Sequence, residues 1–229
     1  MKRVIIKLSG EALSQNGVGI YAKNVKNIAQ EVKDLYDQKV SIGIIVGAGN
    51  IWRGRDAEEN GMQRADADYM GMIGTILNAL ALESALKSLG VKTRTMSALQ
   101  VGNVVEPYNR KKALECLEQN EIVIFAGGTG HPFFSTDTTS ALRALETKCD
   151  VILAAKNGVD GIYSADPKTD KNSYLKNPPE NREDFCLYHV RQSGNVQFVE
   201  EVLFHFKFFC CCIYERILFQ FPSHGCGGR

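Results

Sequence analysis

A chain of 229 residues is long enough to bury a sizeable core, as one domain or one with a lobed sheet. Its 27 basic and 26 acidic side chains leave a formal charge of +1, which excludes the broad basic surface of a nucleic-acid binder. Seven cysteines without any Cys-x-x-Cys spacing suggest neither a disulfide framework nor a zinc site, so reduced thiols are expected.

The N-terminus, Met1 to Lys7, enters a strand at once without an apolar leader, which points to the cytoplasm. Val4 to Leu8 is that strand. Ser9 to Leu13 breaks away from it, and Asn16-Gly17-Val18-Gly19 reads as a flexible loop. From Ala22 to Gln38, the positions Val25, Ile28, Ala29, Val32, Leu35 and Tyr36 recur at helical spacing. Ser41 to Val46 is a second buried strand, closed by Gly47-Ala48-Gly49-Asn50. A long helix is predicted through Met70, Ile73, Leu77, Leu80, Ala81 and Leu89, then a strand over Lys92 to Met96 and a helix over Lys112 to Leu117. Ile122 to Ala126 is another apolar strand. A glycine-rich loop follows it, then a helix from Thr138 to Glu146 with Ala141, Leu142 and Leu145 expected on its inward face. Val151 to Ala155 is the last strand. Repeated β-α-β units with continuously apolar strands predict an α/β three-layer sandwich around a mainly parallel sheet. Such sheets bind ligands beyond the carboxyl ends of their strands.

Glycine-bearing loops sit at four of those ends. They are Lys7-Leu8-Ser9-Gly10, the stretch from Gly47 to Gly54, Gly127 to Asp137, and Asn157 to Pro167. In the third, a strand runs into glycines and then into a helix N-terminus, where free N–H groups and the positive end of the helix dipole favour an anion. Thr129, Ser135 and Thr136 add hydroxyl donors without charge. Phe133 and Phe134 are expected to be buried and able to wall a flat ring. Lys7 and Arg53 are the cations placed to balance phosphate charge. Plainer readings stand beside these: an ordinary turn, a solvated Lys7, Asp137 as a helix N-cap, Tyr163 in the core and Asp166 as a turn former. The Gly-x-x-x-x-Gly-Lys-Ser/Thr loop and the protein-kinase His-Arg-Asp set are both missing.

Four blocks taken jointly carry a family resemblance: Lys-Leu-Ser-Gly-Glu-Ala-Leu (7–13), Gly-Ala-Gly-Asn-Ile-Trp-Arg-Gly (47–54), Gly-Thr-Gly-His-Pro-Phe-Phe-Ser-Thr-Asp (128–137) and Val-Asp-Gly-Ile-Tyr-Ser-Ala-Asp-Pro (159–167). Asp-Tyr-Met-Gly-Met (68–72) adds a fifth. With these, residues 2 to about 170 resemble the bacterial uridylate (UMP) kinases of the amino-acid kinase fold. The Pro-Phe-Phe-Ser-Thr-Asp block separates that family from the carbamate, aspartate and acetylglutamate kinases.

The resemblance implies phosphoryl transfer from ATP to UMP in pyrimidine nucleotide synthesis, with Mg²⁺ carried on the ATP and no metal ligand assigned. It implies that Lys7, Arg53 and Asp137 are catalytic, with Asp137 organising the lysines around the transferred group. Lys7, Leu8, Ser9, Gly10, Gly49, Arg53, Asn157, Tyr163 and Asp166 would serve ATP, with Lys156 as a weaker second cation. Ala48, Asp68 and the run Thr129, Gly130, His131, Pro132, Phe133, Phe134, Ser135, Thr136 would hold UMP, Asp68 accepting from ribose hydroxyls and His131 shaping the loop. Asn16, Gly17, Val18 and Gly19 resemble a GTP-sensing segment, which brings GTP as activator and UTP as inhibitor into expectation. A homo-oligomer, a hexamer if the family is followed, is expected too, with no nucleic-acid or membrane partner.

Residues 171–229 depart from that pattern. They hold eight of the eleven phenylalanines and five of the seven cysteines, but one aspartate, Asp184. The composition shift divides the chain into a kinase-like domain, 1–170, and a divergent tail, 171–229. The apolar run from Phe204 to Tyr214 is shorter than the ~20 residues of a membrane helix, and Cys210-Cys211-Cys212 makes a poor metal site. A shifted reading frame would produce such a tail; a divergent functional C-terminus is the alternative. If the missing family segment disables the ATP half, the chain would be an impaired nucleotide-binding protein.

Overall fold

A computed structural model of the chain describes residues 3–52, 54, 61–155, 185–190 and 196–198. β1 (Arg3–Leu8) lies mid-sheet between β2 (Ser41–Val46) and β6 (Val151–Ala155), parallel to both. β2 also pairs in parallel with β5 (Ile122–Ala126), β5 with β3 (Thr93–Ser97), and β3 with the two-residue β4 (Glu106–Pro107). Beyond β6, β7 (Phe185–Val190) and β8 (Val196–Phe198) continue the sheet antiparallel, giving the order β4-β3-β5-β2-β1-β6-β7-β8. Every residue of β2 and β5 is buried, as strands covered on both faces must be.

The helices divide between the two faces. Val4, Ile6 and Leu8 of β1 join one core with Val25 and Val32 of α1 (Ala22–Asp37) and Ile76 and Leu82 of α2 (Arg64–Ser88). Ile5 joins the other core, with Ala113 and Leu117 of α3 (Arg110–Glu118) and Ala144 of α4 (Thr136–Glu146). The period-2 alternation of one central strand thus feeds both layers. The expected three-layer, mainly parallel α/β architecture is what forms.

The inward face of α4 differs from the expectation. Thr139, Ser140, Arg143 and Ala144 are buried, whereas Leu142 and Leu145 lie at the surface and Ala141 is only partly covered. Arg143 can be buried because its charge is answered: its guanidinium donates to Glu146 and lies 3.8 Å above the Tyr108 ring centroid. The long helix also has two apolar faces. Met72, Ile76, Ala79, Leu82 and Leu86 are buried, while Met70, Ile73 and Leu77 of the predicted stripe are exposed. α2 is long and apolar enough to cross a bilayer, but it packs its buried face on the sheet as a core helix.

Candidate active site

Lys7 is the point where the alternation of β1 turns into chemistry. It shares the side of Ile5, so its stem runs beneath the layer formed by α3 and α4, and the residue is 8% exposed. Its Nζ lies 3.0 Å from Asp137 Oδ1, in the first turn of α4. The helix cap itself is Ser135, whose Oγ accepts from the Thr138 N–H, so the N-cap reading of Asp137 does not hold. Asp137 is left to hold the Lys7 ammonium at the strand end, beside the positive end of α4.

Three loops close around that pair. A Cβ on Gly10 would fall 2.3 Å from Asn50 Oδ1 and 2.5 Å from the Gly47 carbonyl, so only glycine lets the loop after β1 meet the loop after β2. The Gly47 N–H donates to the Leu8 carbonyl at 2.9 Å. Leu8 itself is fully buried in the core under α1 and α2, so its side chain faces away from the crevice. The third loop turns through left-handed backbone at Gly127, Gly128 and Gly130. It is pinned to α2 where the Gly127 N–H donates to Thr75 Oγ1 at 2.9 Å. Thr129 Oγ1 is used inside the loop, accepting from the His131 N–H at 3.2 Å.

Beside these loops an open cleft of about 150 Å³ is bounded by Ala48, Gly49, Asp68, His131, Phe134 and Thr136, all predicted site residues. Asp68 joins its two walls: it accepts from Arg64 Nε on its own helix and, at 2.7 Å, from the Phe133 N–H of the glycine loop. The two phenylalanines are not buried. Phe133 is 67% and Phe134 57% exposed, because a left-handed φ of 72° at Phe133 turns the chain outward at the cleft mouth. Trp52, Thr75 and Thr139 also line the cleft and were not predicted. Thr75 was within reach of the pattern, since 68, 71, 72 and 75 share a helix face.

A partly buried cluster supports the loop from behind. Arg143 Nη2 reaches the Gly128 carbonyl at 3.4 Å, and Tyr108 Oη donates to Glu146 Oε2 at 2.7 Å. Burial, with that carboxylate, pushes the Tyr108 hydroxyl well above its usual range and keeps it a donor. On the other side, Gly19 of the 16–19 loop is held by Asn50: its N–H donates to the Asn50 carbonyl and its carbonyl accepts from Asn50 Nδ2, both at 2.8 Å. Arg53, Lys156, Asn157, Tyr163 and Asp166 lie outside the described residues.

Known proteins share this sequence pattern and fold. The sequence profile of the Amino acid kinase family matches residues 2–177. The chain is 56% identical over 173 residues to a uridylate kinase of Pediococcus pentosaceus, covering 75% of this chain and 72% of that one. The figures are the same for a uridylate kinase of Limosilactobacillus reuteri. Among solved structures, the UMP kinase of Bacillus anthracis superposes with a TM-score of 0.69 at 44% identity, covering 76% of this chain and 72% of that one. The UMP kinase of Ureaplasma parvum gives 0.69 at 40% identity, with 76% and 74% covered. The chain belongs to the amino acid kinase family, on its uridylate kinase branch.

Proposed function

We propose that this chain transfers the γ-phosphoryl group of ATP to UMP, giving ADP and UDP. The observation that carries the reading is the Lys7–Asp137 pair at the meeting point of the glycine loops, with the Asp68–Phe133 cleft beside it. The acceptor is a phosphate oxygen that is already anionic, so the site has no need of a general base. What it must supply is in-line placement and neutralisation of charge on the transferred group. Lys7 supplies the charge, held at the strand end by Asp137. The loops of residues 7–10 and 47–50 are assigned to the ATP phosphates, and Arg53 is assigned to them as a second cation. Asn157, Tyr163 and Asp166 are assigned to the ATP base and ribose.

UMP is assigned to the cleft. Its phosphate meets the N-terminus of α4 near Thr136, its ribose meets Asp68, and its base meets the Phe133 and Phe134 rings at the mouth. Mg²⁺ carried on ATP would supply neutralisation of phosphate charge. Asp137 fits it: half-exposed beside Lys7, it offers the single carboxylate that such an ion needs while keeping phosphate and water ligands. We assign the enzyme to pyrimidine nucleotide synthesis, as a producer of UDP, and to the cytoplasm. The exposed Met70–Ile73–Leu77 stripe supports a homo-oligomer, assigned as a hexamer. Gly19's two bonds to Asn50 support assigning the 16–19 loop to regulation, with GTP activating and UTP inhibiting.

The test is ADP release with ATP and Mg²⁺ against UMP, CMP and carbamate in parallel. Turnover with UMP at least tenfold above the other two is expected; equal use of carbamate would defeat the assignment.

A further inference from the structure

Asn78 is fully buried in the middle of α2, yet it is a polar side chain in an apolar layer. A buried amide is tolerated only where its donors and acceptors are met. Here they are met by the phosphate-facing loop. Asn78 Nδ2 donates to the Gly47 carbonyl at 2.7 Å and to Asn50 Oδ1 at 2.8 Å, and Asn50 Nδ2 donates back to Asn78 Oδ1 at 3.0 Å. The two side chains form a reciprocal amide pair. Asn50's remaining donor goes to the Gly19 carbonyl, so all four amide N–H groups are used.

That pair fixes distances that matter to the reaction. Asn50 Oδ1 is the atom that crowds Gly10, and the Gly47 carbonyl is the next nearest. Asn78 bonds to both residues. The helix also comes close: a Cβ on Gly74, one turn before Asn78, would lie 2.9 Å from the Ala48 Cβ. A shift of Asn78 therefore moves the loop after β2 against the loop after β1, across the end of Lys7.

Resting on the kinase reading above, we propose that Asn78, through its amide pair with Asn50, is a positioning residue that sets the spacing of the two phosphate-facing loops. It touches no substrate. Its effect falls first on how the ATP phosphates are held; the UMP cleft shares Ala48 and Gly49 with that loop but keeps its Asp68–Phe133 contact, which Asn78 does not touch.

The test uses the full chain with Asn78→Leu, and with Asn50→Ser, which reaches the same pair from the loop side with less of the core at stake. A non-hydrolysable ATP analogue is titrated into UMP-loaded protein, UMP is titrated alone, and kcat is measured per UMP-binding molecule. The expected result is analogue affinity weakened at least tenfold and kcat lowered at least tenfold, with UMP affinity within threefold of the unsubstituted chain. The double variant should lose no more than the worse single one, because the two amides act as a unit. If Asn78→Leu does not fold, Asn50→Ser decides alone. Analogue and UMP affinities falling in equal proportion, or kcat per binding molecule within twofold of the unsubstituted chain, would overturn the proposal. An unsubstituted chain that binds neither nucleotide defeats the kinase reading and this inference with it; one that binds both, with variants unimpaired, defeats this inference alone.

Discussion

Phe133 holds a left-handed backbone (φ 72°) with most of its ring in solvent. A non-glycine residue there costs on the order of 1 kcal/mol, and strain of this kind persists where its surroundings enforce it. Here the enforcing contact is the 2.7 Å bond from its N–H to Asp68, on the wall of the cleft that Phe134 lines. Phe133→Gly relieves the strain and removes almost no buried surface. Its melting temperature should not fall, while UMP affinity should drop about tenfold; a melting scan beside a UMP titration separates the two effects. At this scale the sequence was half informative. Glycine and phenylalanine in one loop marked the site, but burial was inferred from the apolarity of the rings alone. Only the local φ, set by long-range contacts, decides which way the rings face.

α4 shows the same limit for a whole element. Its end at Glu146 follows from composition, but it starts at Thr136, two residues ahead of the expected Thr138, with Ser135 rather than Asp137 as cap. Its inward face is not the Leu142 and Leu145 that read as core. The buried face is built instead from Thr139, Ser140, Ala144 and an Arg143 whose charge is met by Glu146 and Tyr108. Those partners are distant or non-apolar, and hydrophobic periodicity is blind to them. Ser135 carries the cap with one side-chain bond to the Thr138 N–H. Ser135→Ala should cost about 1 kcal/mol by denaturant unfolding, and should raise the KM for UMP because the Thr136 turn loosens. Asp137→Ala leaves the buried Lys7 ammonium without this carboxylate, so it should lower kcat, whereas Ser135→Ala should leave kcat nearly intact. A kcat unchanged in Asp137→Ala would contradict its role beside Lys7. The strand cores, by contrast, were legible almost to the residue, since β-branched runs bounded by glycine leave few alternatives.

For the whole molecule, two buried thiols give a signature in pH. Burial pushes Cys116 up to about 11 and Cys149 up to about 12, from an ordinary value near 9. Both native values lie above the unfolded one, so their contribution to stability is complete below pH 9. It is lost as pH rises through 11 and 12, where the unfolded chain alone has released these protons. Denaturant midpoints measured from pH 8 to 11 should fall accordingly, and less steeply in Cys149→Ala. The second apolar face of α2 has a larger consequence. Met70, Ile73 and Leu77 form an exposed stripe on a helix whose other side is already in the core. On the homo-oligomer reading, Ile73→Asp with Leu77→Asp should lower the mass measured by light scattering; an unchanged mass would count against this stripe as a subunit contact. Sequence periodicity found this stripe but could not say which of two apolar faces the sheet would take. The two antiparallel strands past β6 went unread for a related reason, because they lie where the family pattern ends.

The most direct measurement is coupled ADP release with ATP, Mg²⁺ and UMP for the unsubstituted chain beside Lys7→Ala. Lys7 is the one cation that the described fold holds at the meeting point of the phosphate loops, and loss of one such charge contact costs roughly a hundredfold to a thousandfold in kcat. UMP-dependent turnover that falls by about that factor in Lys7→Ala, with UMP still bound, is the predicted result. Turnover that survives in Lys7→Ala, or an unsubstituted chain that binds both nucleotides and releases no ADP, would contradict the account.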